Sequence, residues 1–338
     1  MKTLCLFLLL CPAIIFAQEY TLKPITTGKS TSMRGLSIVT DSVAWVSGSN
    51  GYVGKTIDGG KTWEWMQPKG YEKLDFRDIE AFDNLKAIIV NAGSPAYILS
   101  TIDGGKNWQE VYKNTDSAIF LDGMAFWDNQ QGMVFGDPIK NKMQLLKTTD
   151  GGLTWKNISD NLKKELKVGE ASFAASGTTI RTAPEGKVWV ASGGSVSNIY
   201  FSSNYGKTWK VYACPILQGE SSAGPFSIAF YDPKKGIAVG GNYLKDKENI
   251  NNVLLTTDGG KKWSKPTTPV LGFRSAVEYA THQLCFATGT SGTDVSTDGG
   301  KNWKNISSLS FNAIQKAKKG NLILLVGNRG QIAQLVTQ

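Results

Sequence analysis

The chain holds a single histidine, His282, in the stretch Thr281-His282-Gln283. A lone histidine in a turn leaves Ser-His-Asp chemistry without a base set deep in a site. No Asp, Glu and His cluster has metal-ligand spacing, no CxxC or Cys/His zinc pattern occurs, and no metal is expected. No G-x-G-x-x-G follows a strand into a helix, so a nucleotide cofactor has no loop to hold it, and no cofactor is expected. Cysteine is scarce. Cys5 and Cys11 lie in the first apolar stretch, and Cys214 and Cys285 fall in different repeats, where they are expected to be unbonded, buried small hydrophobes. Only five of the 37 basic side chains are arginines: Arg34, Arg77, Arg181, Arg274 and Arg329.

The apolar run Leu4 to Leu10 is too short to span a membrane and is followed by Pro12. With Lys2 before it and Ile15-Phe16-Ala17 after it, residues 1–17 read as a secretory signal peptide, and the protein is expected to be exported, periplasmic or extracellular. Lipid attachment at Cys11 is disfavoured because Leu10 is not the small residue a lipobox wants. No transmembrane segment is expected beyond the leader. The net charge of +9 falls to +8 without Lys2. The lysines are scattered and many recur in repeats (Lys61, Lys106, Lys207, Lys261, Lys301), which describes a solvated rim better than a nucleic-acid surface.

What recurs is one octapeptide. Thr56 to Trp63 reads T-I-D-G-G-K-T-W, and variants of it run Thr101 to Trp108, Thr148 to Trp155, Ser202 to Trp209, Thr256 to Trp263 and Ser296 to Trp303. The third positions, Asp58, Asp103, Asp150, Asn204, Asp258 and Asp298, are 45, 47, 54, 54 and 40 residues apart. Such periods mark a repeat architecture. The Asp or Asn and the Ser/Thr two places earlier hydrogen-bond nearby backbone and hold a tight turn. Glycine takes the positive φ, and the tryptophans Trp63, Trp108, Trp155, Trp209, Trp263 and Trp303 open the next strand with a large buried ring. The pattern resembles the Asp box, or BNR repeat, of sialidases and related β-propellers.

Strands alternate around each box, which predicts an all-β chain with residues 18–338 as a single propeller domain carrying six Asp boxes. Asn161 to Val168, rich in lysine, is expected as a short surface helix, and Gly240 to Asn252 as a polar insertion. Phe311 to Lys316, Leu322 to Val326 and Ile332 to Val336 make three strands with no box behind them. Tyr20 to Ile25 supplies the missing outer strand, so the expectation is seven blades with the last built from both ends; six blades is the alternative.

The boxes join strands three and four, so the opposite face, around the channel mouth, is where loops converge. All five arginines map near that mouth or the channel, and arginine suits bidentate capture of carboxylate or phosphate; each could instead pair with a nearby acid such as Asp75, Asp78, Asp122, Glu170 or Glu278. The arginine-bearing mouth, the two-ended ring and the apparent export resemble the photosystem II assembly factor family of cyanobacteria and chloroplasts. That resemblance implies a seven-bladed ring with an arginine patch and a non-catalytic, partner-binding role; the expected partner is a protein, an acidic peptide or an anionic glycan bound by a monomer, with assistance in assembling an envelope protein complex as the expected task. The alternative is a glycoside hydrolase, which needs two carboxyl groups facing one sugar. Asp137, Glu170, Asp122 and Glu220 are its candidates, although no Arg-Ile-Pro start and no Tyr/Glu pair can be matched.

Overall fold

Each octapeptide closes on itself in the same way. In the first, Thr56 Oγ1 accepts from Gly60 N–H at 2.9 Å and donates to Asp58 Oδ1 at 2.8 Å, while Asp58 accepts Thr62 N–H at 2.9 Å and Thr62 Oγ1 at 2.6 Å. Asn204 reproduces the turn without a charge, accepting Thr208 N–H at 3.0 Å. Five of the six tryptophans donate Nε1–H to the second glycine's carbonyl; Trp108 does not, and packs edge-on against Trp45. The fourth residue of every turn donates its N–H to the strand 1–2 turn of its own blade, as in Gly59 to Ser42 O (2.9 Å), Gly104 to Leu85 O (2.9 Å) and Tyr205 to Gly186 O (2.8 Å). The octapeptides and the strand 1–2 turns therefore share one face, and the other loops form the opposite one. The second glycine also admits the preceding blade: a Cβ on Gly152, at φ +87°, would lie 2.1 Å from Ile88 Cδ1.

The hydrogen bonds to Asp58 and Asp103 hold their carboxyls down at about 2, the Thr62 side chain contributing most to the first and the Asn107 N–H to the second. A depressed folded-state pKa contributes stability above the unfolded value near 3.8, and that contribution is lost as pH falls towards 2. Replacing Asp58 and Asp103 together by Asn should copy the uncharged turn of Asn204. Thermal melts should then show the loss of stability between pH 4 and pH 2 reduced; an unchanged acid limb would mean these turns do not set it.

The computed structural model describes residues 19–26 and 28–337. They form seven antiparallel sheets in chain order. The inner strands are Met33–Ile38, Phe76–Ala81, Leu121–Phe126, Ile180–Ala183, Ala223–Phe230, Ala276–Tyr279 and Ala313–Lys316, in blades 1 to 7. Blade 7 takes its outer strand from Tyr20–Thr26, which pairs antiparallel with Ile332–Thr337. Seven blades, closed from both ends, is thus the observed architecture, and the six-bladed alternative falls. The buried apolar side chains gather in seven cores, one at each interface between neighbouring blades. Blades 7 and 1, for example, share Met33, Leu36, Ile38, Leu324 and Val326. Cys214 and Cys285 are buried and unbonded. No helix of the described residues is long and apolar enough to cross a membrane; the expected leader lies outside them.

Two local expectations are corrected. Asn161 to Val168 is not a helix. One 3₁₀ turn, Ser159–Asn161, leads into a loop whose Leu162 and Leu166 are buried between blades 3 and 4. The Gly240 to Asn252 insertion begins later, because the second strand of blade 5 runs Gly236–Asn242. In that blade the outer strand is reduced to one bridge, Leu255 with Ser264.

Candidate functional site

The inner strands of blades 1, 2, 3 and 5 each slip register by one residue near the mouth, and the bulged residues are Arg34, Arg77, Asp122 and Phe226. A bulge re-aims one side chain out of the ladder. Ser275 and Asn312 occupy the corresponding places in blades 6 and 7, and all six line one mouth cavity of about 400 Å³. Phe120, Asp137, Phe173, Tyr243 and Phe273 are among the rest of the wall, with residues 172–175 as floor.

That floor is a plug. The loop leading into blade 4 crosses the channel. Ala175 O accepts from Arg34 Nη1 (3.2 Å), Ser176 Oγ reaches Ser275 O in blade 6 (2.8 Å), and Thr178 meets Ser227 of blade 5 (2.6 Å). Gly177, at φ +69°, packs so tightly on blade 2 that a Cβ there would lie 2.3 Å from Asp78 Oδ1. The plug separates the mouth from a second cavity of about 300 Å³ at the octapeptide end, lined by Asp78, Glu80, Arg181, Glu278 and Lys318 among others. Charges there are satisfied internally. Arg181 pairs with Glu278 at 3.0 Å and Lys318 with Glu80. Asp78, pushed up to about 8 by burial, accepts two backbone N–H groups at 2.8 and 2.6 Å.

The five arginines therefore do not converge. Arg34 and Arg77 line the mouth cavity, half-buried. Arg77 Nε holds Asp75 at 2.7 Å, and its guanidinium lies 5.9 Å from the Phe120 ring. Burial, then the Arg77 charge, lowers the Arg34 pKa. Arg181 lies beyond the plug, three residues deeper on its strand than the bulge position. Arg274 is fully buried, 2.6 Å from Asp294, and lines no part of the cavity. Arg329 is exposed in the strand 2–3 turn of blade 7, outside the cavity lining.

The four candidate carboxyls also separate. Glu170 is buried and accepts from Ser192, Asn198, Tyr200 and Lys167 N–H, a structural role that ties the strand Glu170–Ala171 to blade 4. Glu220 is exposed and pairs with Lys245 at 3.1 Å. Asp122 and Asp137 both line the cavity. Asp137 accepts Ser172 N–H at 2.9 Å, and burial raises its pKa. Asp122 is 1% exposed and neither of its oxygens has a hydrogen-bond partner. Burial first, then the Asp137 charge, raises its pKa well above the usual carboxylate value, against the pull of Arg77.

Across the ring from the two arginines stands an aromatic wall: Phe173 stacks on Phe226 at 3.8 Å, with Phe273 and Tyr243 edge-on to Phe226 at 4.7 and 6.0 Å. Sequence reasoning missed this wall. The signal for it was the bulge position itself, which recurs as Met33-Arg34-Gly35, Phe76-Arg77-Asp78, Leu121-Asp122-Gly123, Pro225-Phe226-Ser227 and Phe311-Asn312-Ala313.

Residues 21–116 match the model of the photosynthesis system II assembly factor YCF48 family. The chain is similar to the YCF48 propellers. A structure of YCF48 bound to D1 peptide superposes with a TM-score of 0.67 at 17% identity, covering 97% of each chain. YCF48 from Cyanidioschyzon merolae gives 0.64 at 16%, covering 93% of this chain and 98% of that one. A GH74 xyloglucanase from Xanthomonas campestris gives 0.61 at 15%, covering 93% of this chain and 53% of that enzyme. At such identities the YCF48 likeness shows a common propeller fold. No curated protein matches the chain.

Proposed function

We propose that this propeller is a non-catalytic binding protein that takes a peptide segment of a protein partner into its mouth cavity. The observation that carries this is the ring of bulged residues. It sets Arg34 and Arg77 side by side, across a 400 Å³ cavity from an aromatic wall. Arg77 gives Nε to Asp75 and is part of the cavity lining, and its two outer nitrogens form a fork suited to a carboxylate. An aromatic wall with a few placed polar groups is the usual make-up of a peptide or small-ligand pocket. The YCF48 structure bound to D1 peptide supports the same use of the fold. If residues 1–17 direct export, the partner is an envelope protein, and assistance in its assembly is the role this reading assigns.

The test is capture of envelope proteins by the purified chain and by an Arg34→Ala/Arg77→Ala variant. Both side chains are half-buried, so the variant should keep its melting temperature within a few degrees and lose the capture. Equal capture by both would overturn the arginine mouth. A second reading, glycoside hydrolysis, is favoured by one observation, the presence of Asp122 and Asp137 in one cavity. Release of reducing sugar from a glycan panel, abolished by Asp137→Asn, would establish that reading over the first.

A further inference from the structure

We propose that Asp122 and Asp137 form the receptor for one basic group, an ammonium or guanidinium, on the same segment whose carboxylate Arg34 and Arg77 receive. This rests on the peptide-binding reading and sharpens it: the ligand carries charges of both signs beside an apolar side chain.

Asp122 is the starting point. A buried carboxyl is ordinarily saturated with donors, as Glu170 is in the next blade with four. Asp122 is as buried, and no donor meets its oxygens at hydrogen-bond geometry. The one backbone group that pulls on it, Asp137 N–H, is aimed at Phe120 O at 2.9 Å. Nor is Asp122 placed by chance. It is the bulged residue of its strand, equivalent to Arg34 and Arg77, and it borders the cavity. Asp137 also sits at a register shift, on the neighbouring strand of the same blade. Its Oδ1 takes Ser172 N–H, which leaves Oδ2 for another donor. The Asp137 charge adds to the cost of ionising buried Asp122, Arg77 offsets only part of it, and a cationic donor between the two carboxyls removes the rest.

The second line is the wall beside them. Ring faces attract cations through their quadrupole, more strongly where water is excluded. Phe120, whose ring lies 5.9 Å from Arg77, and Phe173, which follows the Ser172 that donates to Asp137, belong to the same lining. Reading round the ring, the mouth presents Arg34, Arg77, then Asp122 with Asp137, then Phe173, Phe226 and Phe273. A purely anionic ligand would bring its charge up to two carboxyls, and a purely cationic one up to two arginines. A segment with an acidic and a basic group a few residues apart meets both, with its apolar side chain on the rings.

Fluorescence anisotropy with four short probes, each with a C-terminal fluorophore, tests this. They are acetyl-Glu-Phe-Lys, the same with norleucine for Lys, the same with Gln for Glu, and the norleucine probe with a free N-terminus. With the wild-type chain the Lys probe should bind about tenfold tighter than its norleucine analogue. With Asp122→Asn/Asp137→Asn that ratio should fall to one while the norleucine probe binds as before. With Arg34→Ala/Arg77→Ala the Lys-to-norleucine preference should persist and the Glu-to-Gln preference vanish. Recovery of affinity by the free N-terminus would identify an α-ammonium as an equal occupant. If the double Asn variant does not fold, Asp137→Asn alone, at the more accessible carboxyl, should reduce the ratio. Binding with no preference for Lys on the wild type would overturn the carboxyl receptor and leave the peptide-binding reading standing. Failure of all four probes to bind would overturn both.

Discussion

Replacing Arg274 by alanine is expected to cost about 3–5 kcal/mol of folding stability, the range for removing one partner of a buried ion pair. The reason is visible in the strand pattern. In blades 1, 2, 3 and 7 the residue before the bulge position is Met33, Phe76, Leu121 and Phe311, and each is buried in an interface between blades. In blade 6 that place belongs to Arg274, so its side chain enters the core and not the cavity. Four contacts make this tolerable. Nε lies 2.8 Å and Nη2 2.6 Å from Asp294 Oδ2, and Nη1 donates to Phe273 O at 2.8 Å and Ser291 Oγ at 2.6 Å. Asp294 also accepts Leu271 N–H and Asn305 Nδ2–H, so the pair stitches the mouth loop of residues 271–275 to the second hairpin of the blade. Alanine would leave a carboxylate at 1% exposure without its cation. Urea unfolding should show the loss in Arg274→Ala and nearly as much in Arg274→Lys, which keeps the charge but not the fork. Arg274→Met with Asp294→Asn should recover about half or more, since the charge is gone from both sides and Leu271 N–H still has an oxygen to meet. A loss below about 1 kcal/mol in the alanine variant would mean that water reaches Asp294 and that the pair is not buried in solution. Arg34 and Arg77, and no pair that includes Arg274, are therefore the residues with which to probe binding. A variant at Arg274 would lose function through unfolding.

That one-residue distinction also marks how far the sequence could be read. The six octapeptides carry their own geometry, since every donor and acceptor in the turn belongs to the octapeptide itself or to the turn beside it. Blade number and ring closure follow from counting strands between them. The mouth depends instead on parity. Arg34 and Arg274 both precede a small-residue inner strand, and nothing within either sequence segment alone says which is at the bulge and which is one place before it. Aligning the seven inner strands on their bulges would have separated them and brought Phe226 and Asn312 into the ring. The plug was less accessible still. Its path over the channel is set by partners in blades 1, 2, 5 and 6, far away in sequence, and Gly177 discloses its role only when Asp78 is seen against it. The expected helix at Asn161 to Val168 failed for a related reason. Leu162 and Leu166 have the spacing of one helix face, but the groove between blades 3 and 4 takes both from an extended loop, and Leu166 N–H is satisfied by Asn141 O at 2.9 Å.

Deleting the outer strand Tyr20–Thr26 is expected to open the ring and make the chains self-associate. The strand does two jobs. Its backbone pairs with Ile332–Thr337 from Tyr20 opposite Thr337 to Thr26 opposite Ile332. Its side chains serve two interfaces. Tyr20 and Leu22, two residues apart and so on one face, pack towards blade 6, where Tyr20 meets Phe286 edge-on at 5.4 Å. Ile25, on the opposite face of the strand, packs on the core shared with blade 1, as do Trp63 and Trp65. These three side chains are half-buried, each contributing on the order of 1 kcal/mol, which alone would lower stability without abolishing the fold. The larger consequence is the edge. Without the strand, Ile332–Thr337 presents unpaired N–H and C=O groups next to the exposed flank of Phe286 and Leu335, and an open edge with apolar neighbours recruits another chain. Light scattering of the truncated chain should show concentration-dependent oligomers, and its melting temperature should fall by more than 5 °C, on the order of a few kcal/mol for a chain of this size. A synthetic peptide of residues 20–26 added in excess should reverse the association by supplying the strand in trans. Reversal would separate edge pairing from general instability, since a peptide cannot repair a ring that has lost its cores. A truncated chain that does not self-associate and has an unchanged melting temperature would show that blade 7 closes on three strands and that the N-terminal segment is dispensable to the ring.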